Sequence, residues 1–218
     1  MKRLFMNNPY QWHIERMVFR TIEALNKNYF QALYFNNRET LIREVTQYGK
    51  PKMKVGFGGS VTTRELGLAT ALKNKDVVIL DHWKEGLTRE DIEKIRVEHL
   101  ICDLFISSAN AITEKGEIVN IDGIGNRINS LTFGPKKIII IAGYNKIVPD
   151  IPAALERIKR IAAPMNAKRL NLPLPCVETG YCVDCKSEAR ICRAISIMQR
   201  KPSASDISVF IINEILGY

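Results

Sequence analysis

With 218 residues, 46% of them hydrophobic and 25% charged, the chain has the make-up of an ordinary globular protein large enough to bury a full core, and a single domain over 1–218 is expected. Thirty-two Lys and Arg against 23 Asp and Glu leave a net charge of +9, while no apolar run approaches the length of a membrane span. The start carries two basic residues but no apolar run of signal-peptide length before Asn7, so a cytoplasmic protein is expected.

Taken in chain order, "WHIERMVFRTIEALNKN" repeats Trp12, Met17, Val18, Ile22 and Leu25 at a helical period, and "QALYF" follows as a short strand. Asn36 and Asn37 can cap a helix over "RETLIREVTQYG" that Gly49 ends, after which "KMKVGFG" reads as a buried strand. A helix over "VTTRELGLATALKN", the strand "DVVILD", a helix over "TREDIEKIRVEHL" started by Thr88 and Asp91, and the strand "CDLFISS" continue the alternation. Alternating strands and helices predict a parallel sheet with helices on both faces. The rhythm breaks at "ANAITEKGEIVNID", where two extended runs flank "EKG" and predict a small antiparallel hairpin insertion. Beyond it come a helix over "GNRINSLTF", the central strand "KKIIIIAG", a helix over "DIPAALERIKRIAAPMNAKRL" that Pro164 ends or kinks, and a last strand "ISVFIINE".

Three places along this order carry polar groups suited to a ligand. In "VGFGGSVTTREL" a strand runs into glycines and then a helix start, so that Gly58, Gly59, Ser60, Thr62 and Thr63 offer backbone amides and hydroxyls to a small anion such as a phosphate or carboxylate. The turn lacks Gly-Lys-Thr and has Val61 where a dinucleotide fingerprint needs its last glycine, and it can equally be a plain N-capped turn. In "NIDGIGNRIN", Asp122, Gly123, Asn126 and Arg127 group an acid, an amide and a guanidinium around glycines. That set can bind an anionic substrate or simply form an Asx turn with Arg127 on the surface. In "AGYNKIV", Asn145 and Lys146 stand at the carboxyl end of the central strand, where open parallel sheets place their ligands. His13, His82 and His99 are far apart in sequence and receive no role.

The loop at 175–193, "PCVETGYCVDCKSEARICR", holds Cys176, Cys182, Cys185 and Cys192, four of the chain's five cysteines. In a reducing compartment such a set points to metal or redox chemistry rather than structural disulfides. The spacing C-x5-C-x2-C-x6-C has one short C-x2-C core, which suits an iron–sulfur cluster of the four-iron type, with zinc as the alternative and unliganded or disulfide-forming thiols also open. Ten basic and three acidic residues between 157 and 201 suit an anionic cluster, and Lys186, Arg190 and Arg193 are expected to lower the thiol pKa values. The same charge could serve nucleic acid, but no RNP sequence, KH loop or zinc-finger His pair accompanies it, and nucleic acid is not an expected partner. Cys102, at the start of an apolar strand, is expected to pack in the core.

"GFGGSVTTRELGL", "CDLFISSANAITEKGEIVNIDGIGNR", "GPKKIIIIAGYNKIV" and the cysteine loop, in this order, resemble the lactate-utilisation (LUD) domain family over nearly the whole chain. The resemblance implies a three-layer, mostly parallel α/β sheet of the sugar-phosphate isomerase and coenzyme A transferase type. It also implies work alongside iron–sulfur or other redox partner proteins in oxidising L-lactate or a similar organic acid. The catalytic carboxylates of those isomerases and the glutamate of those transferases have no counterpart in this sequence, so their reactions do not transfer with the fold.

Overall fold

The computed structural model describes residues 8–218; Lys2 and Arg3, the two basic residues of the start, lie outside them. Asn8 caps the first helix, α1 (Pro9–Lys27), by accepting from the Tyr10 N–H at 3.1 Å, and Pro9 sits at its first turn. The buried face of α1 is Ile14, Val18, Thr21 and Leu25. Trp12, expected on that face, is 56% exposed, because it falls outside the stripe that Ile14 begins.

The alternation then runs β1 (Gln31–Phe35), α2 (Arg38–Gln47), β2 (Lys54–Phe57), α3 (Val61–Glu65), α4 (Leu68–Lys73), β3 (Val78–Leu80), α5 (Arg89–His99) and β4 (Leu104–Ser107). Asn37 caps α2, and Thr88 with Asp91 forms a complete capping box on α5. The single helix expected over "VTTRELGLATALKN" is two, since Gly67 adopts a left-handed φ of 63° between them. A second group follows: β5 (Ala111–Thr113), β6 (Ile118–Asp122), α6 (Asn126–Thr132), β7 (Lys137–Gly143), a 3-10 turn (Tyr144–Lys146) and β8 (Ile147–Val148). The chain ends with α7 (Ile151–Arg157), a π-helical stretch (Ile158–Ala162), α8 (Ala163–Arg169), α9 (Pro175–Thr179), β9 (Ala194–Met198) and β10 (Ile207–Ile212).

Six strands form one parallel sheet in the order β1-β10-β7-β4-β2-β3. Alternate residues of β7 serve opposite faces: Ile138 and Ile140 join α1 and α6 in one core through Val18, Leu25 and Leu131, while Ile139 and Ile141 join α2 and α4 in another through Leu41, Val45 and Leu72. The protein is therefore a three-layer α/β fold with a mostly parallel sheet. From β2 the chain moves out to β3 and then returns to β4 on the other side of β2, and such a reversal opens a crevice at the carboxyl ends of the strands.

The hairpin β5–β6 is antiparallel as expected, yet it is the centre of a second sheet, ordered β8-β5-β6-β9. β9, unanticipated in "AISIM", pairs with β6 directly after the cysteine loop, and α7 and α8 cover this sheet through Ala154, Ile158 and Ala163. Among the described residues no helix is long and apolar enough to cross a membrane.

Candidate functional site

A cleft of about 250 Å³ opens at the carboxyl ends of β2, β3, β4 and β7, and the second sheet and α8 form its far wall. The three motifs converge there. The turn after β2 contributes Gly58, Gly59, Ser60 and Thr62; the segment after β6 contributes Asp122, Gly123, Asn126 and Arg127; and Lys146 enters from the 3-10 turn after β7. Thr63 lines a smaller neighbouring pocket instead. Asn145 points to the chain's end, where its side chain accepts from the Leu216 N–H at 3.2 Å and donates to the Gly217 carbonyl at 3.4 Å.

The glycine turn is tightly built. A Cβ on Gly58 would lie 2.5 Å from Ser107 Oγ, and Gly59, at φ 66°, is packed against Trp83. Its helix, however, is the five-residue α3, and the Ser60 side chain already accepts from the Thr63 N–H at 3.3 Å. The turn thus gives the cleft a close backbone wall, and its short helix adds little dipole.

Arg127 is placed differently from a surface residue and from a ligand clamp. Its Nε donates to Asp122 at 3.0 Å, Nη1 to Asn120 Oδ1 at 3.0 Å and the Ser108 carbonyl at 3.4 Å, and Nη2 to Asn110 Oδ1 at 2.9 Å and the Ile121 carbonyl at 2.7 Å. All five guanidinium N–H groups are engaged inside the protein. Asp122 in turn accepts from the backbone N–H groups of Arg127 and Ile128 and so starts α6. The pair therefore fixes β6 against the loop after β4, and a bidentate grip on a ligand would require breaking those bonds. Asn126 is different: among the described residues no hydrogen bond engages its side-chain amide, and it lines the cleft.

Lys146 is 3% exposed. Its Nζ donates to Thr62 Oγ1 and to Ser108 Oγ, both at 2.9 Å. Burial foremost, and then the charges of Arg157 and Arg127, push its pKa down from 10.5 to about 7, with Glu65 opposing. Arg157, on α7, reaches the Asn145 carbonyl at 3.1 Å and the Asn110 carbonyl at 2.6 Å.

Several wall residues were not singled out from the sequence. His82 and His99, distant in the chain, lie with ring centroids 5.4 Å apart. His82 lines the cleft, and burial, followed by the neighbouring His99 and Arg96, drives its pKa down to about 4, so it is neutral at pH 7. Trp83 is held between two guanidinium groups, Arg64 at 4.7 Å and Arg169 at 4.2 Å from the ring centroid. Arg96 reaches the cleft from α5 with its Nε buried and unpartnered among the described residues. The Asp-His-Trp run after the β3 strand was the available signal, since ligands gather at such carboxyl ends.

The four loop cysteines line one small cavity together with Leu174, Val183, Arg190 and Ile191. Arg190 organises the loop by donating to the carbonyls of Cys185 at 2.7 Å and Cys192 at 2.8 Å and pairing with Asp184 at 2.9 Å. The loop is pinned to the π-helical stretch for a reason visible in the sequence. In the π register the Ala163 N–H goes to the Ile158 carbonyl and Pro164 has no N–H to offer the Lys159 carbonyl, which instead accepts from the Cys182 N–H at 2.9 Å. Against the expectation that the basic residues lower the thiols, burial first, and then the neighbouring cysteines, push Cys192 up to about 11 against the pull of Arg190, and Cys176 also shifts upward. All four cysteines are free thiols. As their side chains stand, no three His, Cys, Asp or Glu groups among the described residues close on a single ion position. An all-sulfur donor set around a mostly apolar cavity is nonetheless the environment thiolate-held iron–sulfur clusters occupy, and a cluster spreads its ligands over several iron atoms where zinc needs four within about 2.3 Å of one centre.

Fold and cleft together define an α/β protein with a polar cleft at the carboxyl edge of a parallel sheet. A family model described as "LUD domain" matches residues 18–212, and the chain belongs to that family. Among solved structures it is similar to a DUF162 family protein from Deinococcus radiodurans, at 10% identity and a TM-score of 0.50, covering 91% of this chain and 98% of that one. A ribose 5-phosphate isomerase from Plasmodium falciparum superposes at a TM-score of 0.32 and 21% identity over 51% of this chain and 52% of its own. A D-ribose-5-phosphate isomerase in complex with phospho-erythronic acid does so at 0.34 and 16%, over 51% and 53%. No curated protein matches the chain.

Proposed function

We propose that this LUD-domain protein is a cytoplasmic redox component of organic-acid utilisation, binding a small anionic ligand in the cleft and an iron–sulfur cluster at Cys176, Cys182, Cys185 and Cys192. The observation that carries the reading is the shared wall: Ala163, Ile191 and Cys192 line both the cleft and the cysteine cavity. Gly123 supports the contact, since even a Cβ there would lie 3.2 Å from the Ile191 backbone. A ligand in the cleft is therefore a near neighbour of the thiols. A cluster of this kind supplies a one-electron acceptor or donor. The protein's own residues bring the ligand there, Arg96 supplying a guanidinium to the cleft wall and Asn126 an unengaged amide, groups suited to a carboxylate or phosphate. The exposed side of the loop, with Tyr181 55% and Val183 43% accessible, is where a redox partner protein would approach.

Anaerobic purification tests the reading. The protein should be brown, bleach with dithionite, and contain iron and acid-labile sulfide that Cys182→Ser or Cys185→Ser removes. A colourless protein carrying stoichiometric zinc and no sulfide would replace this reading with a non-redox anion-binding protein whose cysteine loop is structural.

A further inference from the structure

We propose that Lys146 is a nucleophile, forming an imine with a small aldehyde or ketone that carries a carboxylate or phosphate; this rests on the reading of the cleft as an anionic-ligand site. The hydrogen-bond directions around Nζ carry the inference. The Thr62 hydroxyl gives its own proton to the Leu216 carbonyl, 3.4 Å away, and the Ser108 hydroxyl gives its own to the Ala109 carbonyl at 3.3 Å. Both hydroxyl oxygens are therefore acceptors toward Lys146, each at 2.9 Å. They hold two amine hydrogens and leave the third tetrahedral position of the nitrogen unclaimed. Among the described residues no carboxylate pairs with Lys146 and no third acceptor reaches it, although the side chain is 3% exposed and lines the cleft. A lysine buried for structural reasons is paired with an acid or has its donors satisfied. An amine with both hydrogens fixed, on a side chain that lines a cavity, is arranged to present a lone pair.

The groups facing Nζ favour that neutral form. Arg157 on α7 and Arg127 on α6 repel a charge there, Glu65 on α3 alone opposes them, and burial adds to the effect, so that about 7 replaces the usual 10.5. Near neutral pH about half the amine is unprotonated, against roughly one part in a few thousand for an exposed lysine. The step is then ordinary addition and dehydration. The Nζ lone pair forms a bond to the carbonyl carbon as the C–O π bond breaks, one proton passes from the nitrogen to the carbonyl oxygen, and the second amine hydrogen leaves with that hydroxyl as water to give the C=N bond. The guanidinium of Arg96, with its buried Nε unpartnered, lies on the same cleft for the ligand's anionic group.

Glyoxylate with sodium cyanoborohydride, applied to the full-length protein near pH 7, tests this directly, because the reduced imine leaves a carboxymethyl group that peptide mass mapping locates. Lys146 should be modified at least about tenfold faster than the exposed lysines of the same molecule. Acetaldehyde, which has no anionic group, should show a much smaller preference, and excess phosphate should slow the glyoxylate reaction at Lys146 alone. Mapping on the wild-type chain removes any dependence on a variant that fails to fold. Lys146 reacting no faster than surface lysines, while phosphate still raises thermal stability, would overturn the imine and leave the cleft's ligand role standing. No effect of either phosphate or glyoxylate on stability or labelling would overturn both.

Discussion

Replacing Lys146 by Met isolates the cost of burying an amine. Methionine has a similar unbranched reach, and the two hydroxyls that lose their donor, Thr62 and Ser108, keep their own bonds to the Leu216 and Ala109 carbonyls, so no buried donor is orphaned. The wild-type folded state holds the Lys146 pKa at about 7 against an ordinary 10.5. The sign follows from proton counting: between those values the unfolded chain binds a proton that the folded chain does not, so wild-type stability rises with pH across that window. Each unit is worth 1.36 kcal/mol, and the full penalty below pH 7 is about 4 to 5 kcal/mol, fading toward pH 10. Urea unfolding of both proteins under reducing conditions, compared at each pH, cancels the titrations they share. The variant should be the more stable at pH 7, and its advantage should shrink by about 1.4 kcal/mol per unit up to pH 10. A difference that stays flat from pH 7 to 10 would show that Lys146 titrates like an exposed lysine and refute the account of its burial.

Three further substitutions probe the walls of the site. Arg127→Lys keeps the charge but cannot fill the five-donor pattern, so stability should fall by about 3 kcal/mol; an unchanged urea midpoint would mean that Asn110, Asn120 and Asp122 hold the loops without it. Gly58→Ala must displace Ser107 Oγ, 2.5 Å from the new carbon, and the Phe105 ring at 2.8 Å; a loss of about 1 to 3 kcal/mol in thermal or urea unfolding is expected, and a neutral outcome would show that the turn is slack. Arg96→Gln should weaken phosphate binding by roughly tenfold or more in calorimetry while leaving the fold intact, and equal affinity would move the anion site away from α5.

The sheet was legible because its signals are local. An uninterrupted run such as "KKIIIIAG" has few alternatives to a strand buried on both faces, and Ile138 to Ile141 do divide between the two cores. The Thr88 and Asp91 capping box needs only three residues of spacing to be read. β9 was not legible for the opposite reason: "AISIM" leaves Ile195 and Ile197 exposed, and only its pairing with β6, more than seventy residues away in the chain, makes it a strand. The split of α3 from α4 turns on one left-handed glycine, which a helical period tolerates on paper.

The candidate site divides along the same line. Gly58, Asp122, Arg127 and Lys146 could be chosen because the alternation of elements puts them after strand ends, and the cleft does form there. What each one does depends on partners brought from elsewhere. Arg127 is consumed by Asn110 and Asn120, which the loop before β5 and the strand β6 deliver. Lys146 meets Thr62 from α3 and Ser108 from the segment after β4. No spacing rule links those three positions, and the depressed affinity of Lys146 for a proton arises from their convergence with Arg157 and Arg127. The cysteine loop shows both cases at once. Its four thiols announce themselves in sequence, whereas its attachment to the cleft wall rests on a carbonyl that Pro164 leaves without a helical donor and Cys182 takes up. Pro164→Ala supplies that missing N–H: the new amide competes for the Lys159 carbonyl, the loop loosens, and the four thiols should react faster with a maleimide, whereas unchanged thiol reactivity would show that the bond between Cys182 and Lys159 does not hold the loop in place.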